Sequence, residues 1–584
     1  MYEDILLDVK RPGQYIGKEW NSSGKDFDNA LIKFALIFPD LYEIGMSNLG
    51  VRIIYGLLNG ISDSVCERFF APDIDLEKIL RLNKREILSL DSRRRLMEFD
   101  LAGFSLGSEL GYTNALNILD LARLPLRARE RGHNYPLVIA GGPCTLNPEP
   151  MHDFFDFFVI GEAEELLLEV TDTYRKYKDA YKSGKMPKSE LLCILSKIEG
   201  VYAPSLYDVD YDGQGAIKRF APNREGVPLK IKKRFVRDLN SSYFPKDWIV
   251  PNVQIVHDRV TLEVMRGCPN RCRFCQARSH YFPLRYRNQD AVVDLADSLY
   301  KCSGYEELSL SGLSVSDYPC LEGLLTRLIS LFRPRGVSLS LPSIKAKLII
   351  GKVSSLIAKF KKTGLTFAPE AGSEGLRDLL AKDFNSEDFF QALKEAYSCG
   401  YQHVKLYFMI GIPGEKDEDL DAIIDFSAKA SDLRKELKRP SATVNLSVSN
   451  LIPKPHTPLQ WAAMIDLDNM KRSQDYIREK SLKRKRLKIS FHNRKMSFLE
   501  GVFSRGDRRL SEVVLNAFNK GARFDAWNSS FDFDIWDASF RDAGIDPYFY
   551  LKEKAINEFL PWDFIETGVD KAFLAEEFNK TIAR

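Results

Sequence analysis

The chain has 584 residues, 44% hydrophobic and 28% charged, a balance ordinary for folded domains that excludes disordered, collagen-like and disulfide-framework architectures. Its 84 basic and 81 acidic residues nearly cancel, leaving +3, so any nucleic-acid footprint has to be local. The longer uncharged apolar stretches, 34–39, 135–146 and 406–414, fall well short of the ~20 residues that cross a bilayer. Met1–Lys10 carries Glu3, Asp4 and Asp8 without an apolar core before a cleavage site. A cytoplasmic protein with no membrane partner is expected.

In chain order, Ile32–Phe38 reads as a strand and Val51–Asn59 as a helix. Leu101–Leu106 is a second strand, followed by a helix through Thr113–Ala122. Strands Leu137–Ala140 and Phe157–Ile160 run into Gly141-Gly142-Pro143 and Gly161-Glu162. This alternation predicts an α/β fold class that opens with a doubly wound, Rossmann-like domain over residues 1–200. Small residues at its strand ends leave room for a ligand at the switch point. Residues 66–100, rich in charge and leucine, are expected to form a helical insertion. Residues 201–250 mix short apolar stretches with Gly, Pro and basic residues, and read as a linker with a small hairpin.

Nine cysteines, an odd number, argue for metal ligation or buried thiols rather than disulfides. Three are packed together in Cys268-Pro-Asn-Arg-Cys272-Arg-Phe-Cys275. Zinc usually takes four ligands in two pairs, and no fourth ligand stands at finger spacing here. Three thiolates can instead hold three irons of a 4Fe-4S cluster and leave the fourth iron open to a small molecule. Val260–Met265 reads as a buried strand with Arg266-Gly267 as its turn, which puts the cysteines at a strand's C-terminal end, where barrel active sites lie. Arg271, Arg273, Arg278, Arg285 and Arg287 are expected to offset the thiolates. This motif resembles that of the radical SAM superfamily, and Phe274 fits the aromatic often found before its third cysteine. The resemblance implies a 4Fe-4S cluster on Cys268, Cys272 and Cys275, with S-adenosyl-L-methionine (SAM) on the open iron. It also implies a reductant such as flavodoxin or ferredoxin, and a 5′-deoxyadenosyl radical that takes a hydrogen atom from the substrate.

A (βα) rhythm follows, predicting a partial (βα)6 radical SAM barrel over residues 251–455. Strands are expected at 308–310, 337–341, 364–368, 403–409 and 443–448, with helices at 290–301, 321–332, 354–361, 387–398 and 418–438. The resemblance assigns SAM binding to Ser311 and Gly312 at one strand end, Ser343 at the next, Glu370 and Arg377 around the fourth, and Ile410 and Gly411 at the fifth. Of these, Glu370 also reads as a helix N-cap acid and Arg377 as a solvated helix residue. The N-terminal domain is similar in sequence order to the cobalamin-binding domain that precedes many radical SAM barrels. That likeness places Asp40, Tyr42, Gly45, Ser105, Gly141 and Gly142 at a cobalamin site. Asp40-Leu-Tyr42-Glu-Ile-Gly45 departs from the D-x-H-x-x-G loop, however, with Tyr42 where the cobalt-ligating His would stand. Cobalamin bound without a protein His, and a cofactor-free domain packed on the barrel, both stay open.

Residues 456–584 are expected to form a mostly helical C-terminal extension. His456, in a Pro-rich loop, either faces the substrate or is a structural loop histidine. Arg478–Lys488 holds seven basic residues and one acid, a run that could meet phosphates or could be a solvated helix face or strand flank. Aromatics alternating with acids around Phe524–Trp536 read as a substrate wall or as the core of a helical cap. The expected function is radical SAM modification of an RNA or a ribosome-associated protein, with cobalamin-assisted methylation as one form. An RNA-modifying enzyme with a cofactor-free N-terminal domain and a non-catalytic iron–sulfur RNA-binding scaffold are the alternatives. Methylthiolation lacks a second three-cysteine cluster to hold a sulfur-donating centre.

Overall fold

A computed structural model describes residues 4–341, 345–346 and 365–582. The N-terminal sheet contains β1 (Ile32–Phe38), β2 (Ser64–Phe70), β3 (Leu101–Ser105), β4 (Leu137–Gly141), β5 (Phe157–Val159) and β6 (Val201–Tyr202). Its order is β2-β1-β3-β4-β5-β6, parallel except for β6. β1 is an almost unbroken apolar run, as a strand covered on both faces needs. The strand order reverses at β1, so a crevice opens beyond the C-terminal ends of β1 and β3.

β2 corrects the expected helical insertion at 66–100. That stretch begins inside the edge strand, and only then come the helix Ile74–Leu82 and a single 3-10 turn at Leu96–Glu98. The strand was hidden because Glu67 and Arg68 break its apolar pattern, yet both are buried. Arg68 pairs with Glu19 at 2.8 Å and Asp91 at 2.7 Å, and Glu67 accepts from the Ser92 hydroxyl.

In the expected linker, β7 (Tyr207–Tyr211) and β8 (Ile217–Pro222) form an antiparallel hairpin. β9 (Ile231–Lys232) pairs in parallel with β19 (Ile565–Glu566), tying the linker to the C-terminal extension.

The barrel strands fall into two parallel groups. β10 (Val260–Glu263), β13 (Glu307–Ser311) and β14 (Ser338–Ser340) form one. β15 (Leu365–Glu370), β16 (His403–Ile410), β17 (Thr443–Asn450) and β18 (Leu487–Phe491) form the other. Helices Gln289–Ser303, Leu321–Phe332, Ser386–Ser398 and Asp417–Asp432 cover them. Leu321, Leu324, Leu325, Leu328 and Phe332 make the buried stripe of one helix. Asn288 caps the first turn of another, and Gly304 in the left-handed region ends it. The expected helix 354–361 and the SAM candidate Ser343 lie outside the described residues. β18 joins the sheet from the extension expected to be mostly helical, directly after the basic run.

The C-terminal aromatics are core. Phe503, Phe518, Trp536 and Phe540 share one buried cluster with Phe104, Tyr112 and Phe155 of the N-terminal domain. Trp461, Trp562 and Phe578 pack with Leu376, Leu379 and Ile412 of the barrel. Among the described residues, no helix is long and apolar enough to cross a membrane.

Candidate functional site

The cysteine loop leaves the end of β10 and is closed at its base by a two-residue antiparallel pair, β11 (Met265–Arg266) with β12 (Arg285–Tyr286). Cys268, Cys272 and Cys275 are free, half-buried thiols on that loop. They lie close enough to act on each other. Burial, then Cys275, Glu370 and Cys268, push the Cys272 thiol up to about 11, while Lys382 pulls it down. Backbone N–H groups of Arg278 and Ala277 support charge on Cys275, whose thiol burial nevertheless raises. Asn270 Nδ2 donates to Cys268 Sγ at 3.3 Å. Among the described residues, no three His, Cys, Asp or Glu side chains converge as they would on a single ion. Three cysteine thiols on one loop can hold three irons of a cubane and leave the fourth iron open. The donor set therefore fits a 4Fe-4S cluster bound through three cysteines.

Of the arginines expected to offset the thiolates, Arg278 lies close enough to act on Cys268 and Cys272, while others are committed elsewhere. Arg285 clamps Glu162 at 2.7 and 2.8 Å, and Arg273 holds Glu577 at 3.0 Å and the Leu379 carbonyl at 2.6 Å. Arg287 bonds the Glu263 carbonyl and stacks on Phe244, while Arg278 stacks on Phe573. Lys382, which no motif flagged, is the cation beside Cys272, and its Nζ also meets Glu370 Oε1 at 3.1 Å.

Arg266, two residues before the first cysteine, is buried among Glu162 (3.0 Å), Glu164 (2.8 Å) and Glu263 (2.8 Å). The first two carboxylates belong to the N-terminal domain, so this network joins that domain to the base of the cysteine loop. Burial raises the Glu162 carboxyl, but Arg285 and Arg266 outweigh it and hold it below its ordinary range. This network leaves no local signal in the chain, because Arg266 and Glu164 meet across about a hundred residues.

Beside the network lies a cavity of about 520 Å3, within the range of cofactor sites. Ser105, Gly141 and Gly142 line it from the N-terminal sheet, and Gly267, Ser311 and Gly312 from the barrel. Two glycines there are dictated by space. Gly142 has φ +104°, and a Cβ would come within 2.6 Å of the Leu106 carbonyl oxygen. A Cβ on Gly312 would meet Met265 Cγ at 2.4 Å.

The other SAM candidates divide. Glu370 sits at a register shift ending β15, half-buried beside the cysteines, with φ +70°. A non-glycine residue holds that conformation at a cost, and such strain gathers at functional sites. Arg377 is committed within the protein. Its Nη1 donates to the carbonyls of Ala371 at 3.0 Å and Gly372 at 2.9 Å, and its Nη2 to Ser386 Oγ at 2.8 Å. It thus braces the β15 turn, neither free for a ligand carboxylate nor a solvated helix residue. The Ile410 carbonyl accepts from Leu451 N, and the Gly411 N–H donates to Glu415.

Three cobalamin candidates are not among the residues lining the cavity. Tyr42 is buried with its hydroxyl on Glu19 at 2.9 Å. Asp40 accepts from Trp527 Nε1 at 3.1 Å, and Gly45 lies where a Cβ would strike the Phe70 ring. Of the two readings of His456, the structural one matches its surroundings. It is buried, with Nε2 3.1 Å from the Leu146 carbonyl oxygen. Lys483–Arg486 is exposed and precedes β18, at the opposite end of the parallel strands from the cysteines.

A parallel barrel with three thiols after its first strand, behind a doubly wound domain, defines an iron–sulfur, SAM-dependent class. The chain belongs to the radical SAM superfamily. Residues 262–427 match the family described as the radical SAM superfamily, and residues 50–204 the one described as radical SAM proteins, N-terminal. That membership implies a 4Fe-4S cluster and SAM as cofactors. Uncharacterized protein MJ0966 of Methanocaldococcus jannaschii is 28% identical over 514 residues, 88% of this chain and 97% of that protein. Ribosomal protein uS12 methylthiotransferase RimO of Pelotomaculum thermopropionicum is 26% identical over 33% of this chain and 44% of its own length. Among solved structures, the cobalamin-dependent SAM radical enzyme OxsB with aqua-cobalamin and SAM bound aligns at a TM-score of 0.48 and 13% identity, over 94% of this chain and 79% of that one. The radical SAM methyltransferase TsrM of Kitasatospora setae, with tryptophan and a SAM analogue, aligns at 0.45 and 14% identity, over 74% and 75%.

Proposed function

We propose that this enzyme binds a corrinoid against its N-terminal sheet, facing SAM at the cysteine loop, and methylates an RNA or ribosomal-protein substrate. One observation carries the reading: Ser105, Gly141 and Gly142 share a single cavity with Ser311 and Gly312. A 4Fe-4S cluster on the three cysteines would supply the electron for SAM cleavage, and a corrinoid in the cavity would supply a transferable methyl group. The chain's own part is placement. Cys268, Cys272 and Cys275 hold the cluster, with Lys382 offsetting their charge. Gly312 makes room for Met265 in the cavity wall, and Arg266 fixes the loop base against the N-terminal domain. Apolar side chains, Phe34, Leu36, Ile139 and Met265 among them, keep water out of the cavity. A flavodoxin- or ferredoxin-class donor in the cytoplasm supplies the electron. A ribosomal substrate is suggested by the RimO relative, which modifies uS12.

Anaerobic reconstitution with iron, sulfide, dithionite and SAM tests the chemistry. We expect 5′-deoxyadenosine from the wild type and none from Cys272→Ala, whose iron content also falls. Hydroxocobalamin should stay with the protein through gel filtration; a colourless protein peak would return the N-terminal domain to a cofactor-free role. Mass spectrometry of RNA and ribosomal proteins from cells with and without the gene then identifies the substrate.

A further inference from the structure

His280 ends the short helix Gln276–His280 that starts directly after Cys275. It is 7% exposed and lines the cavity on the barrel side, with Tyr281 next to it. The turn carrying both is fixed from the linker. Lys233 Nζ donates to the carbonyls of Ser279 (2.6 Å), His280 (2.8 Å) and Phe282 (2.7 Å). The Tyr281 ring stands edge-on to the imidazole at 4.5 Å, and Arg285 Nη2 donates to the Tyr281 carbonyl. So the ring is held firmly while its own polar atoms are left unused. Nδ1 is buried with no hydrogen-bond partner, and the ring makes no hydrogen bond to another described residue.

That combination is costly unless something else meets the ring. A neutral imidazole carries one N–H donor and one acceptor nitrogen. A proton on Nδ1 would be a buried N–H without an acceptor, rarer and costlier than an unused lone pair. The proton therefore belongs on Nε2. Burial, followed by the nearby Lys233, lowers the imidazole to about 4, which keeps it neutral at physiological pH. The cavity lining is rich in glycine and apolar residues, and its charged members Glu162, Glu164, Glu263 and Arg266 are paired with one another, so an imidazole with unused nitrogens is a directional contact left open to a ligand.

We propose that His280 recognises the corrinoid in this cavity by donating an Nε2–H hydrogen bond to one of its acceptor oxygens. The inference rests on the corrinoid reading above and deepens it, since it puts a recognition group on the barrel rather than on the loop that carries Tyr42. The oxygen has two sources, a side-chain amide carbonyl of the corrin ring or the phosphate of the nucleotide tail.

The test uses the full-length reconstituted protein, titrated by absorbance with hydroxocobalamin and, separately, with cobinamide, which keeps the amides and lacks the nucleotide tail. The carboxamide nitrogen of Gln falls near the position of Nε2, and that of Asn near Nδ1. His280→Gln should therefore bind within about threefold of wild type, and His280→Asn and His280→Phe about tenfold more weakly, the effect of one lost buried hydrogen bond. Equal losses with both ligands assign an amide oxygen; a loss confined to hydroxocobalamin assigns the phosphate. Iron content and melting temperature confirm that each variant is folded. Equal binding by all four proteins, or rescue by Asn as good as by Gln, overturns the proposal while leaving the corrinoid reading intact. Failure of the wild type to bind either ligand overturns that reading as well.

Discussion

Arg68 shows what a single residue does in this fold. Its guanidinium is fully buried in an edge strand and is divided between Glu19 and Asp91, which also accept from the hydroxyls of Tyr42 and Tyr55. Two carboxylates this deep are tolerable only while that cation stands between them. Arg68→Met keeps the volume and removes the charge. It should cost about 3–5 kcal/mol, the range for breaking a buried ion pair, read as a large drop in melting temperature. Tyr42→Phe removes one hydrogen bond from the same group, so about 1 kcal/mol is expected. Because Tyr42 bonds Glu19 and does not line the cavity, the same variant should bind hydroxocobalamin as the wild type does. A weakened corrinoid affinity in Tyr42→Phe would mean that this loop reaches the ligand after all.

At the scale of elements, three histidines with lowered imidazoles stand in loops or at a helix end, and one of them makes a joint. His456 follows β17 and meets the carbonyl of Leu146 beyond β4, joining the barrel to the N-terminal sheet. His152 meets the carbonyl of Glu149 in the loop before β5, and His280 closes the helix after the cysteines. Burial in each case lowers the imidazole, to about 3 for His152 and His456 and about 4 for His280. The unfolded chain takes up these protons near 6.5, well before the folded one does. Stability is thus fully present above pH 6.5 and is lost as pH falls from there towards 4 and below, by up to about 1.4 kcal/mol per pH unit for each histidine. Melting temperature measured from pH 7.5 to 4.5 should fall accordingly, and His456→Gln, which can keep the bond to Leu146, should make the slope shallower. An unchanged slope would remove His456 from the account.

For the whole molecule, what reads directly from the chain is what repeats or clusters locally. β13, β16 and β17 were legible as apolar stretches between amphipathic helices, and the three thiols as one spaced motif on a strand end. What did not read were juxtapositions. β2 was masked by a buried Glu67-Arg68, the Arg266 network by its span from Glu162 to Glu263, and the tail aromatics by the distance to Tyr112 and Phe155, with which they share a core. The basic run at Lys483–Arg486 is the reverse case, a conspicuous motif that the fold moves away from the chemistry. It enters β18 beside the start of β17, whereas the cysteines and Glu370 stand beyond the strands' other ends. β17 has eight residues, so about 26 Å of strand separates the two ends, roughly three Debye lengths at physiological salt. Four exposed charges at that distance have little purchase on the cluster or the cavity. Changing Lys483, Arg484, Lys485 and Arg486 together to Gln should therefore leave 5′-deoxyadenosine formation and hydroxocobalamin affinity at wild-type values. If RNA is the substrate and tracks along this end, the same variant should bind it more weakly and with a flatter salt dependence. Loss of SAM cleavage without substrate present would instead show that this end of the barrel communicates with the cysteine loop through the strands themselves.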